Sequence, residues 1–313
     1  MAEDERPGSV TALRTEVSAD LRAWASRYPL FAPLHFPSLA ATTVAYLPSA
    51  RRADRALVAL VSLWIVTFDA LVDERAADRA TRAALASRYR TIITADRGRR
   101  DAGPTQTVGG NPLDQLDAAL REIVARLASY RTTEGLRIWW EESCRATIAA
   151  IVRQRGLGRE GPPPRYITAL PLLVDSIGVE PYLALGVIIG DEAGLERRLE
   201  ELKALARECA LAIRLANDLR TWQKDETEGG FNTLVALRAE VLRATPNLPP
   251  ASVSERALTQ LASHLMRSQA RCHDQLWAAT MAGTTASAMV RLMDVVVGMY
   301  AADGYPTYRE RDD

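Results

Sequence analysis

The sequence predicts an all-α protein built as a single helical domain, and three observations support this prediction. Alanine, leucine and arginine are abundant, and all three are good helix formers. Apolar residues recur at three- and four-residue spacing along most of the chain, which is the period of an amphipathic helix. Glycine and proline fall mostly between these periodic stretches. We therefore predict about ten helices, because strand signals are almost absent.

Nine stretches carry the helical period. They cover residues 11–27, 51–73, 78–95, 113–130, 133–155, 197–225, 231–243, 254–275 and 282–301. Residues 170–190 are apolar but contain Asp175 and Glu180, which favours a buried pair of helices over a membrane span. Gly178 and Pro181 are the helix breakers of that pair.

Three long connections separate the helices, and each is rich in Gly, Pro or polar residues. They are residues 97–114, 156–165 and 244–252. None has the composition of an interdomain linker, and no internal repeat is present. We predict one domain over residues 13–313, preceded by a disordered segment at residues 1–12.

The composition excludes several classes of protein. The chain of 313 residues has 39 basic and 39 acidic side chains, so it lacks the positive excess of a nucleic-acid-binding protein. Its three cysteines are isolated and odd in number, which argues against a disulfide framework and a zinc site. Its three histidines are too few and too scattered for a histidine metal centre.

No targeting or membrane segment is predicted. Residues 1–10 are acidic and polar, unlike a signal peptide. The longest uninterrupted apolar run, residues 56–68, is shorter than the ~18 residues that a membrane span requires. We therefore expect a cytoplasmic protein without a membrane span.

Some predicted helices are apolar on nearly all sides, notably over residues 58–68 and 207–216. Such helices lie in a protein interior or line a cavity. The sequence thus predicts a helical bundle around an apolar cavity, and the polar residues at its mouth become the candidates for function.

Two acids close the apolar helix at 51–73. Asp69 and Asp73 are four residues apart, so their carboxylates lie on one helical face about a turn apart. Their mutual repulsion and their position near a helix C-terminus both disfavour this arrangement. A divalent cation would offset the cost. Ion pairs with Arg75 or Arg79 are the structural alternative.

A second polar row lies on the helix predicted at 197–225. Asn217, Thr221 and Asp225 are spaced four residues apart, which places an amide, a hydroxyl and a carboxylate in line on one face. These are oxygen ligands suited to Mg²⁺.

The same helix carries positive charge beside this row. Arg214 precedes Asn217 by three residues within an apolar segment, where a guanidinium needs an anionic partner. A diphosphate bridged by Mg²⁺ is one such partner, and Asp69, Asp73 or Glu208 is the alternative. Lys224 stands next to Asp225 and is one of only two lysines in the chain.

The segment RLANDLRTWQKDETEGGFNTLVAL resembles the metal-binding helix of class I terpene synthases, whose pattern is (N/D)Dxx(S/T/G)xxxE. It is similar in further detail to the α-domain of plant-type, kaurene-synthase-like diterpene synthases. In that family an acid-Gly pair and an Asn-Thr or Asn-Ala turn follow the motif, here Glu228-Gly229 and Asn232-Thr233.

The segment FDALVDE resembles the aspartate-rich DDxxD motif of the same family. Asp69 and Asp73 are retained, and Ala70 replaces the second acid. In the other motif Asp225 stands where glutamate is usual, so Glu226 is an alternative last ligand.

Two further segments resemble the family. Residues 172–190 are similar to its broken helix, in which a Ser-Ile-Gly break at Ser176 would line the cavity. Residues 299–305 resemble its closing aromatic stretch, and Arg309 would cap the closed site. Aromatic faces that stabilise a cation are then expected among Trp64, Phe68, Trp222 and Tyr300.

The resemblance implies a stand-alone class I diterpene synthase. Three Mg²⁺ ions, which Mn²⁺ can replace, would be held by Asp69, Asp73, Asn217, Thr221 and Asp225. Arg214 and Lys224 would neutralise the departing diphosphate. The implied substrate is a bicyclic, copalyl-like C20 diphosphate made by a separate class II cyclase, and the product is a diterpene hydrocarbon.

Several alternatives stay open at this point. The enzyme can instead cyclise linear geranylgeranyl or farnesyl diphosphate directly. A chain-elongating prenyltransferase would need isopentenyl diphosphate as co-substrate, and a non-catalytic helical scaffold or binding protein would have lost metal ligands. The sequence does not fix the oligomeric state, and a homodimer is an open alternative.

Overall fold

A computed structural model describes residues 9–32, 36–75, 79–95, 111–157, 162–190, 192–277 and 284–302, with backbone alone for residues 73–75, 79 and 95. These residues form helices and no β-strand, which confirms the predicted all-α class. The α-helices are α1 (Val10–Ala25), α2 (Phe36–Tyr46), α3 (Arg52–Arg75), α4 (Arg79–Ala95), α5 (Pro112–Leu127), α6 (Glu134–Gln154), α7 (Tyr166–Ser176), α8 (Val179–Gly190), α9 (Leu199–Glu228), α10 (Thr233–Ala244), α11 (Pro250–Trp277) and α12 (Thr284–Ala302).

Each periodic stretch predicted from the sequence corresponds to a helix, but the sequence analysis missed α2. This helix contains Thr42, Thr43 and Val44, whose β-branched side chains have low helix propensity. Nearly all of its residues are buried, so no polar face marks the helical period. Packing against α1 and α12, rather than local sequence preference, stabilises it.

Side-chain caps fix where several helices begin. Ser9 accepts a hydrogen bond from the backbone N–H of Ala12 (3.2 Å), so α1 starts at Val10, inside the segment predicted as disordered. Residues 1–8 lie outside the described residues. Asn111 caps α5, and Pro112 takes the first helical position, where its missing N–H costs nothing.

Two hydrophobic clusters hold the helices together. The larger one surrounds α3 and α8, and every residue of α8 from Pro181 to Ile189 is buried. The smaller one joins α7, α9, α10 and α11 and includes Tyr166, Leu215, Leu237 and Leu261. Thus α9 contributes to both clusters, with one face toward each.

Helices α7 and α8 are the two halves of the predicted broken helix, and they meet at an angle of 47°. Gly178 lies at the break with φ +71°, a conformation that favours glycine. A Cβ atom at Gly178 would lie 2.6 Å from Cγ2 of Ile65, so the break also packs closely on α3.

A single arginine of α9 contacts both halves of the broken helix. Arg207 pairs with the carboxylate of Asp175 and donates to the carbonyl of Pro171 (2.9 Å), both in α7. It also contacts Glu180 of α8 at 3.5 Å. The two acids that interrupt the apolar segment 170–190 therefore fasten it to α9.

Two described helices are long and apolar enough to cross a membrane by length and composition, namely α3 over residues 52–72 and α12 over 284–302. Polar and charged residues interrupt the apolar run in each of them, so a search for uninterrupted apolar runs does not reveal them. Of these two stretches, 72% and 56% are buried inside the fold, so the bundle itself covers most of their apolar surface. The expectation of no membrane span stays a prediction.

We expect Gly186→Ala to destabilise the protein by about 1–3 kcal/mol, because an added Cβ would lie 2.0 Å from the ring of Tyr46. Gly298→Ala is the matched control: it is the same change inside an exposed part of α12, where nothing lies within 4 Å. The control should be neutral or stabilising by up to about 1 kcal/mol. Denaturant unfolding of both variants measures the difference, and equal stabilities would contradict the packing described for α8.

Candidate active site

Helices α3, α4, α5 and α6 enclose a narrow apolar cavity. Its lining consists of Val61, Trp64, Ile65, Ile93, Leu120, Ile123, Trp140, Cys144, Thr147 and Ile148. The space that these side chains leave free is about that of one water molecule. The sequence predicted an apolar cavity, and the structure places this one against the helix that carries Asp69.

Two of the helices that line this cavity, α3 and α6, carry a charged residue beyond their lining residues. On α3 the lining residues Val61 and Ile65 are followed, at the same four-residue spacing, by Asp69. On α6 the lining residue Ile148 is followed two turns later by Arg155, which caps the helix. Because residues at this spacing share a helical face, an acid and a base terminate the two apolar stripes.

The carboxyl group of Asp69 is half-buried among charges from α6 and α9. Burial raises its pKa above the ordinary value, while the guanidinium groups of Arg155 and Arg214 lower it. The carboxylate of Asp225 raises the pKa of Asp69, and Lys224 lowers it. Asp69 and Asp225 thus lie close enough to repel each other, although they are 156 positions apart in the sequence.

The predicted polar row on α9 is present and is hydrogen-bonded at both ends. Nδ2 of Asn217 donates to the hydroxyl of Tyr300 (3.1 Å). The hydroxyl of Thr221 donates to Oδ2 of Asp225 (3.0 Å), and Nδ2 of Asn232 donates to the same oxygen (2.9 Å). The row therefore begins against α12 and ends against the start of α10.

The structure distinguishes between the two candidates for the last residue of this row. Glu226 is exposed and pairs with Arg238 of α10 at 2.6 Å. Asp225 continues the line of Asn217 and Thr221 and faces Asp69. Asp225, rather than Glu226, is therefore brought to the candidate site.

Arg214 is buried, and its anionic partner is Asp218, one turn further along α9. The two side chains form an ion pair of 2.7 Å that is almost fully removed from solvent. Of the partners considered from the sequence, Asp69 acts on Arg214 only at longer range and Glu208 pairs with Arg271. The side chain of Asp73 lies outside the described residues. The i, i+4 spacing of an arginine and an aspartate was the signal for this pair.

Both members of this ion pair reach beyond α9. A guanidinium N–H of Arg214 donates to the hydroxyl of Ser176, at the break between α7 and α8 (3.4 Å). Oδ2 of Asp218 accepts hydrogen bonds from the backbone N–H and the hydroxyl of Thr233 (2.8 and 2.6 Å). Burial raises the pKa of Asp218, whereas Arg214 and Thr233 lower it. Ser176 thus contacts Arg214 but is not among the residues that line the apolar cavity, and its role in binding substrate stays a prediction.

Lys224 lies at the rim of the site. Its side chain is exposed, and its contact with Glu228 is long at 3.9 Å. Its charge nevertheless acts on Asp69. The structure therefore brings Lys224 near the site without fixing its ammonium group there.

The four aromatic residues predicted to face a cation occupy different places. Trp64 lines the cavity, and Phe68 stacks on it with ring centroids 5.3 Å apart, backed by Tyr89. Tyr300 is buried and contacts Asn217, and burial raises its pKa to about 12. Trp222 packs against the smaller cluster, because it lies about 100° around the helix from the polar row. Trp222 is not brought to the cavity.

Two predicted site residues cannot be placed. The side chain of Asp73 lies outside the described residues, as do those of its alternative partners Arg75 and Arg79. Arg309 belongs to the segment 303–313, which is also outside them. Their assigned roles stay predictions.

Sequence reasoning missed Arg155. Gln154, its neighbour, donates to the backbone carbonyl of Phe231 (2.8 Å), which ties the end of α6 to the loop before Asn232. A signal for Arg155 was nevertheless present in the sequence. The apolar stripe of α6 ends in a basic residue, just as the apolar stripe of α3 ends in an acidic one.

The donor set fits a hard divalent cation. Within the described part of the chain, no three His, Cys, Asp or Glu side chains converge, so a thiolate or imidazole metal centre is not formed there. The candidate ligands are instead the carboxylates of Asp69 and Asp225, whose charges act on each other, with Asn217 and Thr221 on the same face of α9 as Asp225. Oxygen ligands of this kind suit Mg²⁺, and a cation between the two carboxylates would remove their repulsion.

Comparison with known protein families shows which family this chain belongs to. The family described as "Terpene synthase family 2, C-terminal metal binding" matches residues 61–246, which is more than half of the chain. The chain belongs to this family. This terpene synthase is therefore a lyase acting on prenyl diphosphates, and its family uses a divalent metal, as the resemblance of the two motifs implied.

Solved structures share the fold of this terpene synthase. Linalool/nerolidol synthase from Streptomyces clavuligerus is 16% identical with a TM-score of 0.64, and 92% of this chain aligns with 95% of that one. 2-Methylisoborneol synthase from Streptomyces coelicolor A3(2), in complex with Mg²⁺ and 2-fluorogeranyl diphosphate, is 15% identical with a TM-score of 0.65, covering 96% and 94% of the two chains. Among curated protein sequences none matches.

We expect Asp218→Asn to destabilise the synthase by about 3–5 kcal/mol, because it leaves the buried charge of Arg214 without its counter-charge. Glu228→Gln removes the exposed partner of Lys224 and should change stability by less than about 0.5 kcal/mol. Denaturant unfolding at neutral pH compares the two. A small effect of Asp218→Asn would show that another group neutralises Arg214.

Proposed function

We propose that this chain is a Mg²⁺-dependent class I diterpene synthase. Its substrate is a C20 prenyl diphosphate, of the bicyclic copalyl-like kind, and its products are a diterpene hydrocarbon and diphosphate. The carbon–oxygen bond to the diphosphate breaks with both electrons leaving on oxygen. The allylic cation that remains later loses a proton to give the hydrocarbon.

One observation supports this proposal above the others. The carboxylate of Asp69 follows the apolar stripe of α3 and lies within electrostatic range of Asp225 and of the positive charges of α6 and α9. An apolar cavity on one side of Asp69 suits a hydrocarbon chain, and the clustered charges on the other suit metal-bound diphosphate. Such a site can hold the two ends of a prenyl diphosphate in separate environments.

The residues have distinct roles in this proposal. The metal would be held by Asp69, Asn217, Thr221 and Asp225, and by Asp73 as the resemblance implies. We expect three Mg²⁺ ions, as in the family, and we expect that Mn²⁺ can replace them. Bound Mg²⁺ would supply Lewis-acid stabilisation of the leaving diphosphate. Thr221 and Asn232 keep the carboxylate of Asp225 in place by donating to Oδ2.

Three cations of the described residues act on Asp69, namely Arg155, Arg214 and Lys224. Arg155 and Arg214 act on Asp69 more strongly than Lys224 does. Arg214 is largely neutralised by Asp218, but its buried Nε has no hydrogen-bond partner among the described residues. Among these cations Arg155 has the largest effect on Asp69, and it ends the cavity-lining helix. We therefore assign Arg155 first to the diphosphate, with Arg214, Lys224 and Arg309 in support.

The cavity walls would exclude water from the cation. Every lining residue is hydrophobic or weakly polar, and Trp64 offers an aromatic face. The free space is smaller than the roughly 300 Å³ at which ligand pockets usually begin, so the lining side chains must separate to admit a prenyl chain.

The choice of a C20 bicyclic substrate rests on the resemblance to plant-type diterpene synthases over residues 214–237. Such a substrate implies a class II cyclase that supplies it. The cytoplasmic location and the possible homodimer also stay predictions.

A second candidate is direct cyclisation of a linear diphosphate. The neighbour linalool/nerolidol synthase was solved with an analogue of a linear diphosphate, 2-fluorogeranyl diphosphate. That neighbour is only 14% identical, so it supports the fold and not the chain length. Geranylgeranyl or farnesyl diphosphate would then be the substrate of this chain.

Turnover with defined substrates separates these candidates. The purified protein is incubated with Mg²⁺ and with bicyclic copalyl-type, linear C20, linear C15 or linear C10 diphosphate, and the extracts are analysed by gas chromatography–mass spectrometry. We expect a C20 hydrocarbon from the bicyclic substrate alone, and a loss of at least ~100-fold in Asp69→Ala, since a metal ligand matters more than the groups that orient it. Product from a linear substrate would establish the second candidate, and no product from any substrate would contradict both.

We expect Arg155→Gln to weaken binding of inorganic diphosphate in the presence of Mg²⁺ by about tenfold or more. A charge-assisted hydrogen bond contributes about 1.5–3 kcal/mol, and about 1.4 kcal/mol corresponds to a factor of ten. Arg153→Gln, at an exposed position on the same turn of α6, is the control and should bind as the wild type does. Calorimetric titration measures both. Equal affinities for the two variants would remove Arg155 from the diphosphate site.

A further inference from the structure

The polar row of α9 is held at both ends by residues of other helices. Asn217, at its start, contacts Tyr300 of α12, and Asp225, at its end, contacts Asn232, which precedes α10. The following inference rests on the proposed function, because it concerns how these two contacts prepare the row for a metal ion.

At the Asp225 end, one oxygen of the carboxylate is occupied. Oδ2 accepts hydrogen bonds from Thr221 (3.0 Å) and from Asn232 (2.9 Å). No donor among the described residues contacts Oδ1 of Asp225. A carboxylate held by two donors on one oxygen has a fixed orientation, which leaves the other oxygen as the ligand atom.

The amide of Asn232 is itself fixed by a second contact. Its Oδ1 accepts from the backbone N–H of Val235 (3.0 Å), so Asn232 is the N-cap of α10. Both ends of the amide are therefore used, and Asn232 is almost completely buried. The start of α10 thus determines where the Asp225 carboxylate points.

At the Asn217 end, the contact selects one of two amide orientations. Nδ2 of Asn217 donates to the hydroxyl of Tyr300 at 3.1 Å. An amide that uses its nitrogen in this way presents its oxygen on the opposite side, and oxygen is the atom that Mg²⁺ prefers. Tyr300 is buried on α12, so its hydroxyl is held firmly.

We propose that Asn232 and Tyr300 are positioning residues of the metal site, which orient Asp225 and Asn217 so that one oxygen of each is free to bind the cation. Tyr300 then acts through its hydroxyl rather than through the aromatic face predicted from the sequence. Neither residue touches the metal or the substrate in this proposal. Their loss should raise the Mg²⁺ concentration that the protein needs, while the ligands themselves remain.

The test uses two variants that keep the local structure. Tyr300→Phe keeps the ring and removes the hydroxyl, and Asn232→Ser keeps a good N-cap and removes the amide donor. Each has a matched control remote from the site. Tyr182→Phe removes a buried hydroxyl that contacts Thr43, and Asn111→Ser changes the N-cap of α5 in the same way.

The thermal unfolding midpoint of each protein is measured against Mg²⁺ concentration at a fixed, saturating concentration of inorganic diphosphate. We expect the Mg²⁺ concentration at half-maximal stabilisation to rise by about 10–100-fold in Tyr300→Phe and Asn232→Ser, and to stay unchanged in their controls. Turnover of the two variants should recover toward the wild-type kcat at high Mg²⁺.

The outcomes separate this proposal from the proposed function. A wild-type protein that Mg²⁺ and diphosphate do not stabilise overturns the proposed function and this proposal with it. A wild type that responds, with variants that match their controls, overturns this proposal alone. Because the two ends of the row are tested separately, loss of folding in one variant leaves the other to decide.

Discussion

The buried ion pair between Arg214 and Asp218 is the interaction on which the rest of the site depends. It removes two opposite charges from solvent within one turn of α9, where an unpaired charge would cost several kcal/mol. Each partner also reaches outward, Arg214 to Ser176 at the helix break and Asp218 to Thr233 at the start of α10. One charge pair thereby fixes α7, α9 and α10 relative to each other.

This arrangement separates two tasks along one helix. The residues of α9 that hold the fold together, Arg207, Arg214 and Asp218, pair with α7, α8 and α10. The residues of the polar row stand on an adjacent face and are oriented from outside by Tyr300 and Asn232. Because the structural charges are already paired, the row can present oxygen atoms without also having to neutralise buried arginines.

Most of the fold could be predicted from the sequence, because its helices are amphipathic or bounded by clear breakers. The α7–α8 break was predictable from Gly178, whereas α2 was not, since a fully buried helix has no polar face to mark its period. The polar row was predictable from spacing within one helix. The partner of Arg214 was sought at Asp69, Asp73 and Glu208, whereas the structure pairs it with Asp218, one turn along the same helix. Arg155 and the displaced Trp222 depend on how separate helices pack, which local spacing does not encode.

The near absence of free space between Trp64, Ile65 and the lining residues of α6 has a consequence for the order of events during binding. An apolar hole of this size stays dry, so no solvent has to be expelled when a hydrocarbon chain enters. In the proposed function, the lining side chains would have to separate to admit the chain, and this cost would fall on the association step, before any bond is broken. The apolar cavity is thus already free of water in the folded protein, so the proposed reaction would begin in a desolvated environment.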